Sequence, residues 1–582
     1  MLILGEKIME KKWKGYILTL ILAAISTSCG KQENMEKIQE IEVEESLMNG
    51  QQTEADPNDK IGEGQLFLVA IQKDNLVSDY EENDLTKMLE KDLNVYLDFV
   101  CLPSEGKEQE AALSQMITGG EQIPDIVIAQ NLNQETILEY GTNGVFLALD
   151  EYMKDEAMAK YFSQIPKESQ EKMIQAMTSA DGHIYAMGHY SEATWNQTPY
   201  RYYINRSWLD TLGLDIPTTT EELHEVLMAF VHGDPNGNGK KDEIGIYGQV
   251  QGTYGENVLL ALMNSFVFCN PSIQTNYGLA LNEDGTKVMA PFTTWEWREG
   301  LMYLHQLYEE GLIEPSIFHN SNEEFTELMN QDENVIGLVT TGSYQVTWPD
   351  SDHNKNFLEM EMIRPLIGPE GICYTPYEGV QPQPSAYITS ACDKPDIAFR
   401  ILDYFYKENV SRSARWGKEG VDWTSDPSIC SGFTNGYVEA GLAEGIKLTV
   451  LNDIWPTPQT HHWRNMNPYF ESLEESNSNC NIWARYDSSS KSAPLNARNV
   501  EWYLEKRPDY LLPELHYTEE ELNQIGNSME QVSYYVKTAM MEFITGERDI
   551  VKDWAQYLEG FEKLGLYQWI RVAQKAYERE IS

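Results

Sequence analysis

Residues 234–245, DPNGNGKKDEIG, set short oxygen-bearing side chains at alternate positions of a glycine-rich loop. Asp234, Asn236 and Asn238 stand at the first, third and fifth positions, from which a calcium loop draws three of its ligand oxygens. Gly239 occupies the sixth position, where the chain must turn sharply, and Lys240 at the seventh offers a backbone carbonyl. Asp242 falls at the ninth. The usual bidentate Glu at the twelfth is replaced by Gly245, which leaves Glu243 as the available substitute. Without that last ligand the ion has no lever on a following helix, so structural Ca2+ is expected here and signalling is not. Three carboxylates in a small space repel one another unless a cation offsets them. The alternative is an Asn-Gly-rich turn without metal.

Other chemistry is sparse. The chain contains no serine-nucleophile elbow, HExxH or P-loop, no CxxC pair, and no His at zinc-ligand spacing from a Cys. Its 92 acidic residues leave open the carboxylate pair of a secreted glycoside hydrolase. A formal charge of −49 excludes the positive footprint that nucleic acid requires. At 582 residues the chain exceeds one hydrophobic core, and 41% apolar residues suffice to fill two or more lobes.

The elements that must position these residues begin after an N-terminal address. Lys7, Lys11, Lys12 and Lys14 precede ILTLILAAI at 17–25, and STSCG then presents Cys29. The apolar core is too short to span a bilayer and reads as a secretion signal over residues 1–28. The small residues ending on Cys29 resemble a bacterial lipobox, which implies lipidation of that cysteine. Ordinary secretion with a free Cys29 is the alternative. No later apolar run is long enough to cross a membrane, so a lipid anchor on the extracellular face is the only membrane contact expected. Polar residues 29–60 read as a flexible tether. Six further cysteines permit disulfides without demanding them.

Beyond the tether the pattern alternates. Apolar GQLFLVAI at 64–71 predicts a strand, 82–92 a helix, 94–100 a strand, 106–118 a helix and 123–130 a buried strand. This order predicts a parallel α/β sheet. Ligand crevices form beyond the carboxyl ends of such strands, so Gln130, Asn131 and Asn133 are candidates to face a ligand. Thr219 and Glu222 have capping-box spacing and predict a helix start.

The succession MITGGEQIPDIVIAQ, GVFLALDEY, DGHIYAMGHYSEATWNQTPYRYYINRSWLDTLGLDIPTTTEEL, VIGLVTTGSYQV, PSAYITSACDKPDIAFRILDYFYKENVS, RWGKEGVDW and FITGERDIVKDWAQYLEGFEKLGLYQWI resembles the extracellular solute-binding proteins of carbohydrate ABC importers. The likeness is to their Gram-positive lipoprotein branch. It implies an α/β, two-lobe periplasmic-binding-protein-like fold of type II, with the ligand between lobes joined by hinge strands. By analogy the N-terminal lobe takes 61–198 and about 365–430, and the C-terminal lobe 199–364 and about 431–582. The resemblance also implies an oligosaccharide or similar polar solute, a membrane permease as partner, a monomer, and no catalysis. Members with a loop like 234–243 hold calcium structurally. By position, Trp195, Tyr254, Tyr344, Trp348, Glu419 and Trp423 are the candidate ligand contacts, since sugars present apolar faces to aromatic rings and hydroxyls to polar groups. A hydrolase, or a surface adhesin that binds polysaccharide without transport, is the rival reading.

Overall fold

The computed structural model describes residues 59–581, apart from 105, 120–122, 131, 253, 271–277, 350, 352, 378, 453, 456, 483–490 and 493. The signal segment, Cys29, the tether up to residue 58 and Asn131 therefore lie outside the described residues.

The run QLFLVAIQ forms β1 (Gln65–Gln72), buried on both faces from Val69 onward, as a strand inside a helix-covered parallel sheet must be. A helix at Asp84–Leu93 follows, started by the Asn83 side chain, which accepts from Leu85 N. It leads to β2 (Val95–Leu102), parallel to β1. The helix Gly106–Gly119 then returns the chain to β3 (Ile126–Ile128), parallel to β1 on its other side. This strand is shorter than the expected 123–130 and begins only after Pro124, which has no N–H for a ladder. After β4 (Met187–Ser191) the chain crosses into a second sheet built from β5 (Arg201–Asn205), β6 (Ile244–Ile246), β7 (Ile336–Thr341) and β8 (Met360–Met362). It returns with β9 (Gln383–Ile388), and β10 (Tyr469–Glu471) completes the first sheet.

The first sheet runs β10-β4-β9-β3-β1-β2 and the second β8-β5-β7-β6. In the first, β9 alone is antiparallel to its neighbours; in the second, β5 alone is. Each of these is the strand the chain lays down on arriving from the other sheet. The two sheets have separate apolar cores. Phe67, Leu89, Ile126, Phe399 and Trp463 are buried against the first, and Trp208, Phe230, Leu301, Leu338 and Trp348 against the second. The capping box of Thr219 with Glu222 is formed and starts the helix Thr220–Gly233, whose Leu223, Val226, Leu227 and Phe230 face the second core. The C-terminal helices Ser528–Thr545, Trp554–Lys563 and Leu566–Glu580 bury Phe543, Tyr557, Phe561 and Trp569 in that same core. A three-stranded sheet of Trp423–Thr424, Leu448–Val450 and Asn479–Asn481 lies between β9 and the C-terminal helices in sequence and has its own small core. Because Tyr469–Glu471 pairs with β4, the stretch after 430 does not pass wholly to the second sheet as the resemblance led one to expect. The described cysteines Cys101, Cys269, Cys373, Cys392, Cys430 and Cys480 are all unpaired. Among the described residues no helix is long and apolar enough to cross a membrane.

Candidate functional site

The carboxyl ends of β1 and β3 are tied together by two glutamines. Gln72 Oε1 accepts from Gln130 N at 3.0 Å, and Gln130 Nε2 donates to the backbone carbonyl of Asn465. Gln130 is half-buried at the strand end, and its amide is engaged with the chain. Asn133 is an exposed helix cap whose Oδ1 accepts from Thr136 N at 2.7 Å.

The partner of Gln130 belongs to a segment, 455–471, that the spacing of residues did not single out. Arg464 and Asn465 both sit in the left-handed region, at φ 53 and 58. Non-glycine residues hold that conformation only where their surroundings impose it. Here Arg464 Nε donates to Asp74 Oδ2 at 2.8 Å and its guanidinium lies 4.6 Å over the Trp455 ring. His462 Nδ1 accepts from Arg464 N at 2.8 Å, and its ring stands 5.1 Å from that of Trp455. Alongside, His189 of β4 stacks on Tyr469 of β10 at 5.3 Å and 13°. Arg415 Nη1 reaches Glu471 Oε2 at 3.5 Å, and Ser191 Oγ donates to that same oxygen at 2.6 Å.

This neighbourhood concentrates buried polar atoms without hydrogen-bond partners: His189 Nδ1, Arg415 Nε, His462 Nε2, Asn465 Oδ1 and Asn467 Oδ1. Each such atom costs about 1–3 kcal/mol when left unsatisfied, so these positions favour ordered water or a polar guest. Burial keeps both imidazoles neutral. It pushes His189 down to about 4 and His462 down to about 3, the latter helped by the charges of Arg464, His461 and Arg415.

A second face comes from the crossing into the second sheet. Arg201, fully buried at the start of β5, lies 3.4 Å over the Trp195 ring. Its Nη1 donates to Trp195 O at 2.8 Å, Thr198 O at 2.7 Å and Asn499 Oδ1 at 3.0 Å, and its Nη2 to Gly342 O. Trp195 Nε1 donates to the same carbonyl of Gly342 at 3.0 Å. Tyr344 meets Trp195 edge-on at 6.0 Å and stacks on Phe357 at 5.3 Å. Tyr254 Oη donates to Asn196 Oδ1 at 2.6 Å, and its carbonyl accepts from Gly342 N at 2.8 Å. A Cβ on Gly342 would stand 2.5 Å from the Tyr254 ring, so only glycine permits this approach. Burial raises the Tyr254 phenol, while the charges of Arg201 and Arg415, one from each face, pull it down.

Of the expected contacts, Trp195, Tyr254 and Tyr344 are therefore assembled on one face and Gln130 lies on the other. Trp348 and Trp423 are corrections. Both are fully buried: Trp348 packs against Tyr203 and Phe357 at 5.5 Å each in the second core, and Trp423 donates its Nε1 to Gly417 O at 2.8 Å inside the small sheet. Their aromatic payload serves packing. Glu419 is half-buried and forms a backbone bridge with Trp423. In its segment the buried acid is Asp422, which accepts from Lys418 N at 2.8 Å and from Asn452 Nδ2 at 3.1 Å and pairs with His461 Nδ1 at 2.5 Å. Asp422 thereby fastens one end of the 455–471 segment.

In the loop at 234–243, Asp234 (φ 47), Gly237 (φ 72) and Gly239 (φ 75) make the expected turn. Both oxygens of Asp234 accept from Gly239 N at 3.2 Å, and Asn238 Oδ1 accepts from Lys240 N at 2.8 Å. The amides of Asn236 and Asn238 point toward Asp242 at 3.3 and 3.2 Å. Glu243 is buried, its Oε1 has no partner, and burial together with Asp242 and Asp234 raises its carboxyl. The donor types, three acids with Asn and backbone oxygens, fit a hard cation, but here the Asn236 and Asn238 NH2 groups face Asp242 and Lys240 Nζ stands 3.9 Å from it, so the amides would have to turn their oxygens inward to ligate. Glu333, distant in sequence, adds a further carboxylate: its Oε2 accepts from Asn238 Nδ2 at 3.0 Å. Among the described residues no three His, Cys, Asp or Glu side chains form a cluster able to hold a metal by themselves, so amide and backbone oxygens would have to contribute.

No protein-family model matches the chain. The fructooligosaccharide ABC transporter substrate-binding protein FusA of Streptococcus pneumoniae is 24% identical over 521 residues, covering 86% of this chain and 88% of that one. A solved structure of a FusA EF-hand mutant in complex with fructo-nystose, also from S. pneumoniae, aligns with a TM-score of 0.66 at 21% identity, covering 88% of this chain and 99% of that one. An HMO-binding, ABC-transporter-associated solute-binding protein from Bifidobacterium longum infantis aligns with a TM-score of 0.71 at 20% identity, covering 89% and 99%. The chain is thus a homologue of the substrate-binding proteins of ABC transporters and carries the two-domain solute-binding-protein fold.

Proposed function

We propose that this chain captures an oligosaccharide between its two lobes and hands it, chemically unaltered, to a membrane permease. The observation that carries this reading is the group of orphaned polar atoms at His189, Arg415, His462, Asn465 and Asn467 beside the aromatic face of Trp195, Tyr254 and Tyr344. Hydroxyls of a sugar satisfy such atoms, and its C–H faces suit the rings. The relatives named for fructooligosaccharide and HMO binding support the same solute class. No observation favours a hydrolase or an adhesin.

In this reading the N-terminal lobe comprises residues 61–198, the 365–430 region and the strand 469–471, and the C-terminal lobe 199–364 with the C-terminal helices. Closure of one on the other about the 191–201 and 362–383 crossings encloses the solute. Ca2+ braces the C-terminal lobe through Asp234, Asn236, Asn238, the Lys240 carbonyl, Asp242 and Glu243, a role that the FusA EF-hand mutant supports by analogy. Lipidated Cys29 holds a monomer at the outer face of the membrane; Cys29→Ala then releases the protein to the medium, and unchanged retention argues against the anchor.

The deciding experiment is calorimetric titration with a panel of fructooligosaccharides and other oligosaccharides. Micromolar binding, about −8 kcal/mol, is expected for one class, with the sugar recovered intact. Silence across the panel, or shortened products, overturns the proposal.

A further inference from the structure

A cavity of about 270 Å³ opens between the turn that follows β6, the 315–320 turn and the helix Asn322–Met329. It contains none of the oligosaccharide-site residues. Its wall includes Asn320, only 6% exposed. Both amide protons of Asn320 are spent, on Gly248 O at 2.9 Å and on Tyr247 Oη at 3.0 Å, and its backbone carbonyl takes Gln249 Nε2 at 3.1 Å. The Tyr247 ring is in turn fixed by stacking on Phe325 at 5.5 Å and 13°. Asn320 Oδ1 is thus a buried, immobilised acceptor with no donor.

The rest of the lining decides what donor belongs there. Glu324 and Glu327 both line the cavity; its one basic side chain is His319, and no Lys or Arg lines it. The backbone N–H of Ser321, 2.8 Å from Glu324 Oε2 in a capping box, holds that carboxyl below its ordinary range, so it stays charged at neutral pH. A bare metal ion is a poor fit. The volume far exceeds one ion, and no three His, Cys, Asp or Glu side chains among the described residues are grouped to hold one. Parallel pairing of β6 with β7 and with Ile313 puts the 247–249 and 315–320 turns at the same end of the sheet as the turn after β7, which carries Gly342 and Tyr344.

We infer that this cavity is a second ligand site, selective for a small organic ammonium such as a primary amine or amino sugar, whose N–H groups donate to Asn320 Oδ1 and whose charge faces Glu324 and Glu327. A neutral sugar satisfies the amide but gains nothing from the charge of the two exposed carboxylates.

The test is titration of the intact chain with glucosamine and, separately, with glucose, followed by calorimetry or ligand-observed NMR. Saturable glucosamine binding is expected, at least roughly tenfold stronger than glucose, a difference of about 1.4 kcal/mol. Glu327→Gln, at an exposed helical position that does not threaten the fold, is expected to remove most of that preference. Trp195→Ala, which strikes the oligosaccharide site, is expected to leave it intact, so failure here is distinguishable from failure of the transport reading. Equal binding of the two sugars, no saturable glucosamine binding, indifference to Glu327→Gln, or loss on Trp195→Ala each overturns the inference.

Discussion

The two faces of the proposed binding site are finished to different degrees. Around Arg201 most polar contacts are internal: one guanidinium joins Trp195 O, Thr198 O, Asn499 Oδ1 and Gly342 O while stacking on the indole it positions, although its Nε and the nearby Tyr203 Oη have no partner. Around His462 and Asn465 the backbone is equally constrained, but the side-chain tips are left without partners. One face is a rigid platform whose polar chemistry is internal. The other leaves more of its buried side-chain atoms unpaired. A binding protein gains specificity from the second kind of surface, because a guest lacking the matching hydroxyls leaves the orphaned atoms still unpaired. It gains affinity from the first, because a ring already held in place loses little freedom on contact.

If that contrast holds, Arg201→Met should do the most damage, and to the fold itself. Several buried acceptors would lose their donor together, and a loss of about 3–5 kcal/mol by denaturant melting is expected. Wild-type stability in this variant would remove the strut from the account. Trp195→Ala should spare the fold more and cost binding about 2 kcal/mol, roughly thirtyfold in Kd by calorimetry, as expected of a central aromatic contact.

The pH response separates the faces without deleting either. His189 is held near 4 and His462 near 3 when folded, both below their ordinary value of 6.5, so the unfolded chain takes up protons first. Their contribution to stability is complete above about pH 6.5 and is lost as pH falls through the folded values. Melting temperature should drop between pH 6.5 and 4, and His189→Phe, which keeps the stacking on Tyr469, should flatten that drop. An identical pH profile in the variant would count against a neutral imidazole. Millimolar calcium should raise the melting temperature by about a degree or two over an EDTA-treated sample if its dissociation constant is on the order of 10⁻⁴ to 10⁻³ M. Asp242→Asn should abolish the difference. The mildest change is Asn465→Gly, which accommodates the left-handed backbone while removing an unpartnered Oδ1. Sugar binding should weaken by roughly fivefold, about 1 kcal/mol, with stability unchanged or raised.

What sequence reasoning could reach was governed by distance along the chain. The Thr219–Glu222 capping box, the turn at Gly239 and the β1–helix–β2 order are local, and each is written within a few residues. The 455–471 segment is rich in Pro, His and Asn and has no periodicity, so it reads as an ordinary loop. Its importance comes from contacts such as Gln130 with Asn465, 335 residues apart. Trp348 and Trp423 were overvalued for a related reason: an indole suits a core and a sugar face equally, and only tertiary packing decides between them. Glu333 joins the 234–243 loop unannounced because its reach to Asn238 spans 95 residues.

The order in which strands are laid down has a consequence for folding. Since β9 must slot between β3 and β4, and β10 must close the β4 edge, the sheet that opens the chain stays unfinished until residue 471 has emerged. The leading half of the chain therefore cannot lock early; its sheet sets only once distant segments have been made and brought back to it.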